Sequence, residues 1–356
     1  MKPTVFLSLL LTAAAVADPL ITSWRTDFSG RYARIVETTA DEGALNSVTT
    51  WSHGQGTQAQ PTYAGVSEVT ATTTDVYVRA SGLGAHIMGP WYLNAAKTNL
   101  FPNYPSNRSV IYRIPRNPGT VPTTKSLTGL GVIGLFVDGV SMFDSRDAFS
   151  YDTSAAQDDS PNASNGVDGD DVWNRDAFVN ESVTSDAANA HQAGANHHYH
   201  ANPPELRHLL CDSVDYDEAT NTYTENFSGE HSPILGWGSD GYPLYGPYGY
   251  SDPNDASSPV TRMHSGYQKR TITVRQTLPA HAARDQGYTS AESTTKHTLP
   301  ATSSGPVVST QHVLGQYLED YDYLGDLGQT HGTDFDLDSH NGRFCVTPEF
   351  PEGAYA

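Results

Sequence analysis

The densest group of potential metal ligands in this 356-residue chain is the run Asn196-His197-His198-Tyr199-His200. In an extended segment side chains alternate, so His198 and His200 project from one face, about 7 Å apart by the usual rise, while His197 and Tyr199 project from the other. Two imidazoles on one face can bind one ion, and neutral imidazole suits zinc, copper, nickel and iron better than calcium or magnesium. The spacing therefore predicts a transition-metal site; packing or hydrogen bonding of the histidines without an ion is the alternative.

A third ligand is needed to complete such a site. If the ion is zinc, a carboxylate beside it would serve as the base that activates bound water, and Asp186 and Asp240 are the candidates; if it is copper, redox chemistry is expected. For Asp240 an ordinary turn is the competing interpretation, since Ser239-Asp240-Gly241 is a good turn sequence in its own right. The candidates for the third ligand are His191, His231, Asp186 and Asp240.

Acidic residues near the end of the chain form a second candidate cation site. The segment resembles an EF-hand loop only superficially, because Ser339 replaces the required Gly and Cys345 stands at the twelfth position, where Glu is required. A calcium site of another type at Asp336 and Asp338 remains open, as does one at 168–171, and a solvated acidic loop is the alternative for both. The alternating residues are Asp334, Asp336, Asp338 and His340.

Several other classes of function are disfavoured by the sequence. No Gly-x-Ser-x-Gly pattern occurs, so serine hydrolase chemistry is not expected. Neither of the two phosphate-binding glycine signatures is present, which argues against nucleotide cofactors. The formal charge of −20, without any basic block, disfavours nucleic acid and anionic membranes as partners.

The composition predicts the kind of fold that must position these residues. Gly (31), Pro (22) and Tyr (20) are abundant, which is typical of many turns and short strands. We therefore expect a mainly β protein, sandwich-like, with a few short helices and long loops rich in Gly, Pro and Asp. Strands are predicted at 76–79, 110–114 and, as the most apolar stretch, 132–137; short helices are predicted at about 185–191 and 203–210.

The start of the chain has the pattern of an export signal. Lys2 precedes an apolar run from Val5 to Leu11, and small residues stand at Ala15 and Ala17, which predicts a signal peptide over residues 1–17 and a secreted or periplasmic protein. The apolar run is shorter than the ~20 residues that a membrane-spanning helix needs, and no later segment approaches that length. The remainder divides into an N-terminal β-rich region, 18–122, in which no catalytic residue stands out, and a second region, 123–356.

Cys211 and Cys345 are the two cysteines of the chain. An exported protein meets an oxidising environment, so one long-range disulfide between them and two unpaired thiols both fit the sequence. Their spacing fits no zinc ribbon, which needs paired cysteines.

Four separate motifs in the second region resemble those of the secreted YHYH-domain proteins, in the same order. The resemblance covers roughly residues 123–356, with His197 at the place of the first Tyr of the name motif. It implies a shared fold and a pocket lined by Asp186, His191, His198, His200, His231 and Asp240. Family members continue past Glu-Gly-x-Tyr, so the resemblance also implies that this chain, ending at Ala356, is truncated. The motifs lie in 186–203, 231–247, 319–323 and 336–353.

Two functions from different classes follow from these patterns. The first is an exported metalloprotein that holds copper or zinc at the histidine cluster, with metal-dependent catalysis and simple storage or delivery of the ion both open. The second is a non-catalytic surface protein that is stabilised by calcium and binds extracellular polysaccharide or a small molecule through exposed aromatic rings. The same aromatic residues are equally explained by packing: Trp237, Tyr242, Tyr245, Tyr248 and Tyr250.

Overall fold

The structure is a computed structural model that describes residues 18–26, 30–119, 128–159 and 169–356. The predicted signal peptide at 1–17 lies outside the described residues. Most of the regular structure consists of short strands, and the helices are short, so the predicted β-rich fold class is confirmed.

The elements of the first half are mostly strands of two to seven residues. They are α1 (Pro19–Thr22), β1 (Arg34–Ile35), α2 (Thr39–Gly43), β2 (Trp51–His53), β3 (Gly56–Gln58), β4 (Val66–Ala71), β5 (Asp75–Ala80), β6 (Ile87–Met88), β7 (Val110–Pro115), β8 (Val132–Phe136), β9 (Ser141–Phe143), β10 (Arg146–Asp152), β11 (Gln157–Asp159), β12 (Asn174–Asp176) and α3 (Ala177–Glu181).

The second half continues in the same way and includes four short 3₁₀ segments, Ser182–Thr184, Ala301–Ser303, Leu318–Asp320 and Leu324–Leu327. Its strands and helices are β13 (Ala190–Ala193), β14 (Asn196–Tyr199), α4 (Pro204–Leu209), β15 (Val214–Asp217), β16 (Thr222–Glu225), β17 (Ile234–Gly238), β18 (Pro243–Tyr245), β19 (Tyr248–Tyr250), β20 (Val260–Arg262), β21 (Tyr267–Lys269), β22 (Thr277–Leu278), α5 (Ala280–Asp285), β23 (His297–Thr298), β24 (Tyr321–Tyr323), β25 (Phe344–Cys345) and β26 (Ala354–Tyr355).

A six-stranded sheet in the order β13-β14-β9-β8-β17-β18 carries the histidine run. Strand β14 lies parallel to β9, with His198 opposite Ser141, and β8 is the apolar strand predicted at 132–137. Strand β17 packs so closely on β8 that a Cβ at Gly236 would lie 2.8 Å from the carbonyl oxygen of Leu135. The strand order places the hairpin β13–β14 at one edge of this closely packed sheet.

A three-stranded sheet, β4-β5-β7, packs its apolar face with that of the larger sheet. Val76 and Val78 of β5 and Ile114 of β7 share one hydrophobic cluster with Leu135 and Trp237 of the six-stranded sheet. The strands predicted at 76–79 and 110–114 are confirmed. The predicted boundary between 122 and 123 lies in 120–127, outside the described residues, but this core includes side chains from both sides of it.

One of the two predicted helices is correct and the other is wrong. The predicted helix at 203–210 is α4, whereas the segment predicted as helical over 185–191 is a turn that leads into β13. Both backbone N–H groups of Ala188 and Ala190 donate to the Asp186 carboxylate, and Asn189 has φ of 62°. A carboxylate that accepts hydrogen bonds from nearby backbone N–H groups stabilises a turn in place of a helix, which is why this prediction is wrong.

The two cysteines are not joined. Cys211 is exposed and Cys345 is buried, and both are free thiols. Of the two alternatives left by the sequence, unpaired thiols describe this structure.

Candidate metal centre

Three histidines converge on one face of the β13–β14 hairpin. His191 is directly opposite His198 in the antiparallel register, and His200 follows two residues later, so all three share a face. Their ring centroids are 4.6 to 5.4 Å apart. One nitrogen of each lies within 4.8 Å of the corresponding atoms of the other two, which is close enough to bind a single ion.

The backbone fixes the tautomers of His198 and His200. Nδ1 of His198 lies 2.9 Å from the Asn196 carbonyl oxygen, and Nδ1 of His200 lies 2.6 Å from that of Asp144. A carbonyl oxygen accepts only, so each Nδ1 carries the hydrogen, and each neutral ring keeps the lone pair on Nε2. These two Nε2 atoms are 3.0 Å apart.

A short relay fixes the tautomer of His191. Its Nδ1 lies 2.7 Å from Oγ1 of Thr184, and this hydroxyl donates to the carbonyl oxygen of Glu181 at 2.7 Å. Because the hydroxyl hydrogen is used, Thr184 accepts from Nδ1, and Nε2 of His191 also presents a lone pair. Each ring, when neutral, therefore presents its Nε2 lone pair as a metal ligand does, and each is held by an outer acceptor.

Glu181, the last residue of α3, supplies a fourth donor. Its Oε2 lies 3.1 Å from Nε2 of His200 and 3.4 Å from Nε2 of His191. Metal–ligand distances of about 2.0–2.2 Å in a tetrahedron place neighbouring donor atoms roughly 3.3–3.6 Å apart. The two observed spacings are close to these values, so Glu181 lies at ligand spacing from His191 and His200.

Burial controls the charge of this cluster. Burial lowers the pKa of His191 to about 4 and that of His198 well below its ordinary value, so both rings are neutral at pH 7. Burial acts the same way on His200, but the Glu181 carboxylate outweighs it and raises the pKa of that ring. The ring of Phe143 stacks on His198 with centroids 3.8 Å apart and forms an apolar wall.

The opposite face of the hairpin carries a second polar cluster. His197, fully buried, lies near His86 and Asp186, and one ligand atom of each lies within 4.8 Å of the others. Burial favours the neutral form of His86, but Asp186 and Glu205 outweigh it and raise the pKa of this ring to about 10. Burial also opposes ionisation of Asp186, yet its contact with His86 holds the pKa of the carboxyl below the usual range.

The structure brings some of the predicted site residues together and separates others. His191, His198 and His200 meet as predicted. Asp186 belongs to the opposite face, where its Oδ2 accepts from the backbone N–H of Gly89 and lies 3.1 Å from Nε2 of His86. Its predicted role as a third ligand or base at the first cluster is not supported by this placement.

His231 and Asp240 do not join either cluster. His231 packs its ring against Tyr245 and Tyr250, and its Nδ1 donates to the carbonyl oxygen of Ser232. Asp240 is exposed in the turn between β17 and β18. The motif 231–247 thus serves packing and turn formation at these two positions.

Two contributors were missed in the sequence, Glu181 and His86. Glu181 is one of 40 acidic residues and carries no spacing signal relative to the histidines. His86 lies in the N-terminal region, where no catalytic residue was expected, more than 100 residues before His197. Only the folded chain brings either one to the hairpin.

The acidic turn near the C-terminus uses its carboxylates internally. Asp336 Oδ2 accepts from the backbone N–H of His264, and Asp338 Oδ1 accepts from the N–H of His340 and the hydroxyl of Tyr355. These bonds are typical of a turn, and the calcium site at Asp336 and Asp338 stays a prediction. Of the other acidic candidate at 168–171, residue 168 lies outside the described residues.

The aromatic residues proposed for polysaccharide binding are largely packed. Trp237 and Tyr248 are buried, and the indole N–H of Trp237 donates to the hydroxyl of Ser23. The hydroxyl of Tyr245 donates to the Glu349 carboxylate at 2.9 Å. These contacts favour packing over an exposed stacking surface for these three residues.

In the part of the chain that the structure describes, no helix has the length and apolar character needed to cross a membrane.

A family model described as YHYH protein matches residues 111–356, well over half of the chain, and the chain therefore belongs to this family. No curated protein and no solved structure matches it.

Proposed function

We propose that this member of the YHYH protein family is a metalloprotein that holds one copper or zinc ion between Glu181, His191, His198 and His200. The observation that carries the proposal is the set of tautomers: each Nδ1–H is committed to an outer acceptor, and three Nε2 lone pairs face one another beside a carboxylate oxygen.

The alternative, histidines that only pack or hydrogen bond, accounts for this geometry only if Nε2 of His200 carries a proton, which would donate to Glu181 or to His198. Nε2 of His198 and Nε2 of His200 lie 3.0 Å apart, and neither carries a hydrogen in the tautomers that the backbone sets. Two lone pairs at that distance repel, and Glu181 adds negative charge. A metal cation at the centre removes the repulsion. Burial keeps His191 and His198 neutral, so a proton that did the same would have to sit on His200, whose pKa Glu181 raises, and the metal content distinguishes the two cases.

The donor set decides the class of metal. Three imidazole nitrogens and one carboxylate oxygen suit zinc and copper, whereas calcium and magnesium prefer six or more oxygen-rich ligands. Geometry and availability, rather than intrinsic affinity, select between zinc and copper at such a site. When bound, zinc would supply Lewis acidity and copper would supply redox chemistry.

A groove beside the cluster is suited to a small-molecule partner. The cavity has a volume of about 400 Å³ and includes Ala201 and Asn202, which follow His200 directly, and Phe178, which lies on the same helix as Glu181. Arg207 and Glu225 line another part and offer opposite charges. A polar small molecule in this groove would lie next to the side of the metal centre formed by α3.

Elemental analysis of protein never exposed to chelators tests the proposal. We expect at least one equivalent of copper or zinc, and the double variant His198→Ala, His200→Ala should lose one equivalent while circular dichroism shows an unchanged fold. His231→Ala is the matched control, since this half-buried histidine lies on a shared motif but outside the cluster, and it should retain the metal. Less than a stoichiometric equivalent in the native protein, or an unchanged metal content in the double variant, would contradict the proposal.

A spectrum of the Co²⁺-substituted protein tests the proposed ligand set. Four-coordinate nitrogen and oxygen ligation gives intense visible bands, and Glu181→Gln should shift them because one anionic ligand is lost. A spectrum unaffected by this change would remove Glu181 from the set of ligands.

A further inference from the structure

The second polar cluster, on the opposite face of the hairpin, has the donors of another ion site. His86, Asp186 and His197 are 6%, 8% and 0% exposed, and one ligand atom of each lies within 4.8 Å of the other two. Two imidazoles and a carboxylate on three separate segments form a common donor set for divalent transition metals.

His197 is the feature that hydrogen bonding within the protein does not explain. Among the described residues, neither Nδ1 nor Nε2 makes a hydrogen bond of ordinary geometry, although the side chain is fully buried and the backbone of His191 lies near the ring. Leaving a buried polar group unpaired costs about 1–3 kcal/mol. Its ring is held in place by contacts with Trp91 and Tyr199, so the nitrogens are fixed in position and available.

Surrounding groups hold the side chains of Asp186 and His86 in place. The backbone N–H groups of Ala188 and Ala190 donate to Oδ1 of Asp186, while Oδ2 accepts from Gly89 and lies 3.1 Å from Nε2 of His86. On the far side of the His86 ring, Nδ1 lies 3.5 Å from Oε2 of Glu205. A carboxylate behind a histidine in this way directs the other ring nitrogen toward a metal.

The identity of residue 197 separates this chain from the family pattern. The motif that gives the family its name is Tyr-His-Tyr-His, whereas this chain reads His197-His198-Tyr199-His200. A tyrosine at this position would put a phenol in place of the imidazole and leave His86 and Asp186 as a pair. The imidazole that completes the second donor set therefore belongs to this chain and not to the family motif.

We propose that His86, Asp186 and His197 bind a second divalent transition metal ion, buried between the N-terminal region and the hairpin. Binding displaces the proton shared by His86 and Asp186, which leaves to solvent, and Nε2 of His86 then donates its lone pair to the ion. Because the donors are buried, the ion enters during folding, before the N-terminal region closes over the hairpin.

Zinc titration of stripped and refolded protein tests this inference, with Zn²⁺ alone as the probe. We expect two equivalents for the wild type, one for His197→Tyr and one for His198→Ala, His200→Ala. His197→Tyr restores the family residue, and His86→Gln provides a second variant if the tyrosine prevents folding. The buried ion should also leave more slowly, so chelator should remove zinc from the wild type in two phases and from His197→Tyr in one.

The outcomes distinguish this inference from the proposed function. One equivalent that survives His197→Tyr but is lost with His198 and His200 overturns the second site and leaves the first intact. One equivalent with the reverse pattern overturns the first site and supports the second. Two equivalents in both His197→Tyr and His86→Gln overturn the second site, because the two variants remove different imidazoles of the donor set.

Discussion

The two faces of the β13–β14 hairpin carry similar side chains in different surroundings. On one face, His191, His198 and His200 have every Nδ1–H paired, and Glu181, with a quarter of its side chain exposed, completes the set. On the other face His197 is fully buried, and neither of its nitrogens makes a hydrogen bond of ordinary geometry with the part of the chain that the structure describes. Alternation along a strand thus places adjacent histidines in different surroundings, His198 beside the partly exposed Glu181 side of the hairpin and His197 enclosed by the core.

The largest expected loss of stability comes from a substitution in the buried second cluster. Asp186→Asn should destabilise the protein by about 3–5 kcal/mol, because His86 loses a buried charged partner and Gly89 N–H faces an amide. Urea denaturation measures the change. Asp240→Asn is the matched control, since that carboxylate is exposed in a turn and should shift stability by less than about 0.5 kcal/mol. Equal losses of stability in the two variants would show that the buried Asp186 carboxylate contributes no more than an exposed one.

Acid should destabilise the metal-free protein through the first face. The ordinary pKa of histidine is 6.5 and that of folded His191 is about 4, so the unfolded state binds more protons in between. The contribution of this ring to the free energy of unfolding is fully present above pH 6.5. It is lost as the pH falls through 4, by roughly 3 kcal/mol. Denaturation of chelator-treated protein between pH 6.5 and 4 measures the slope, which should flatten in His191→Gln.

The second face should make the protein less stable as the pH rises, the opposite dependence from that of the first face. The pKa of His86 is raised to about 10, so its contribution is present below 6.5 and lost as pH rises toward 10. Urea denaturation of metal-free protein between pH 6.5 and 10 measures this loss. A stability that stays constant over this range would show that His86 is not charged between Asp186 and Glu205.

A smaller effect is expected from the outer support of His191. Thr184→Val keeps the shape but removes the acceptor of the Nδ1–H, so metal affinity should fall by about 10–100-fold. Competition with a chromophoric chelator measures this affinity. Thr184→Ser retains the hydroxyl and should bind nearly as well as the wild type; a valine variant with unchanged affinity would show that the hydroxyl does not orient the ring.

The smallest expected effect is the stability change caused by Glu181→Gln in metal-free protein. This carboxylate is partly exposed, so the change should stay below about 1 kcal/mol, in contrast to Asp186→Asn. Thermal unfolding in the presence of chelator measures it. A loss as large as that of Asp186→Asn would show that both faces are equally important for the fold.

The sequence was informative where the pattern is local. The period of two in a strand placed His198 and His200 on one face, and the apolar stretch at 132–137 is β8, because alternation and burial depend on neighbouring residues. The helix predicted at 185–191 failed because Asp186 accepts backbone N–H groups of its own turn, a choice that helical periodicity does not report.

The sequence by itself determined the β-rich class, the family and two histidines of the first cluster on a common face. Only the tertiary structure decided which distant groups join the two faces of the hairpin. Helix α3 brings Glu181 to the first cluster, and the packing of the N-terminal region brings His86 to the second. The tertiary structure also separated His231, Asp240 and Asp186 from the first cluster. Cross-strand register, which set His191 opposite His198, depends on how the strands pair, and no spacing along the chain specifies it.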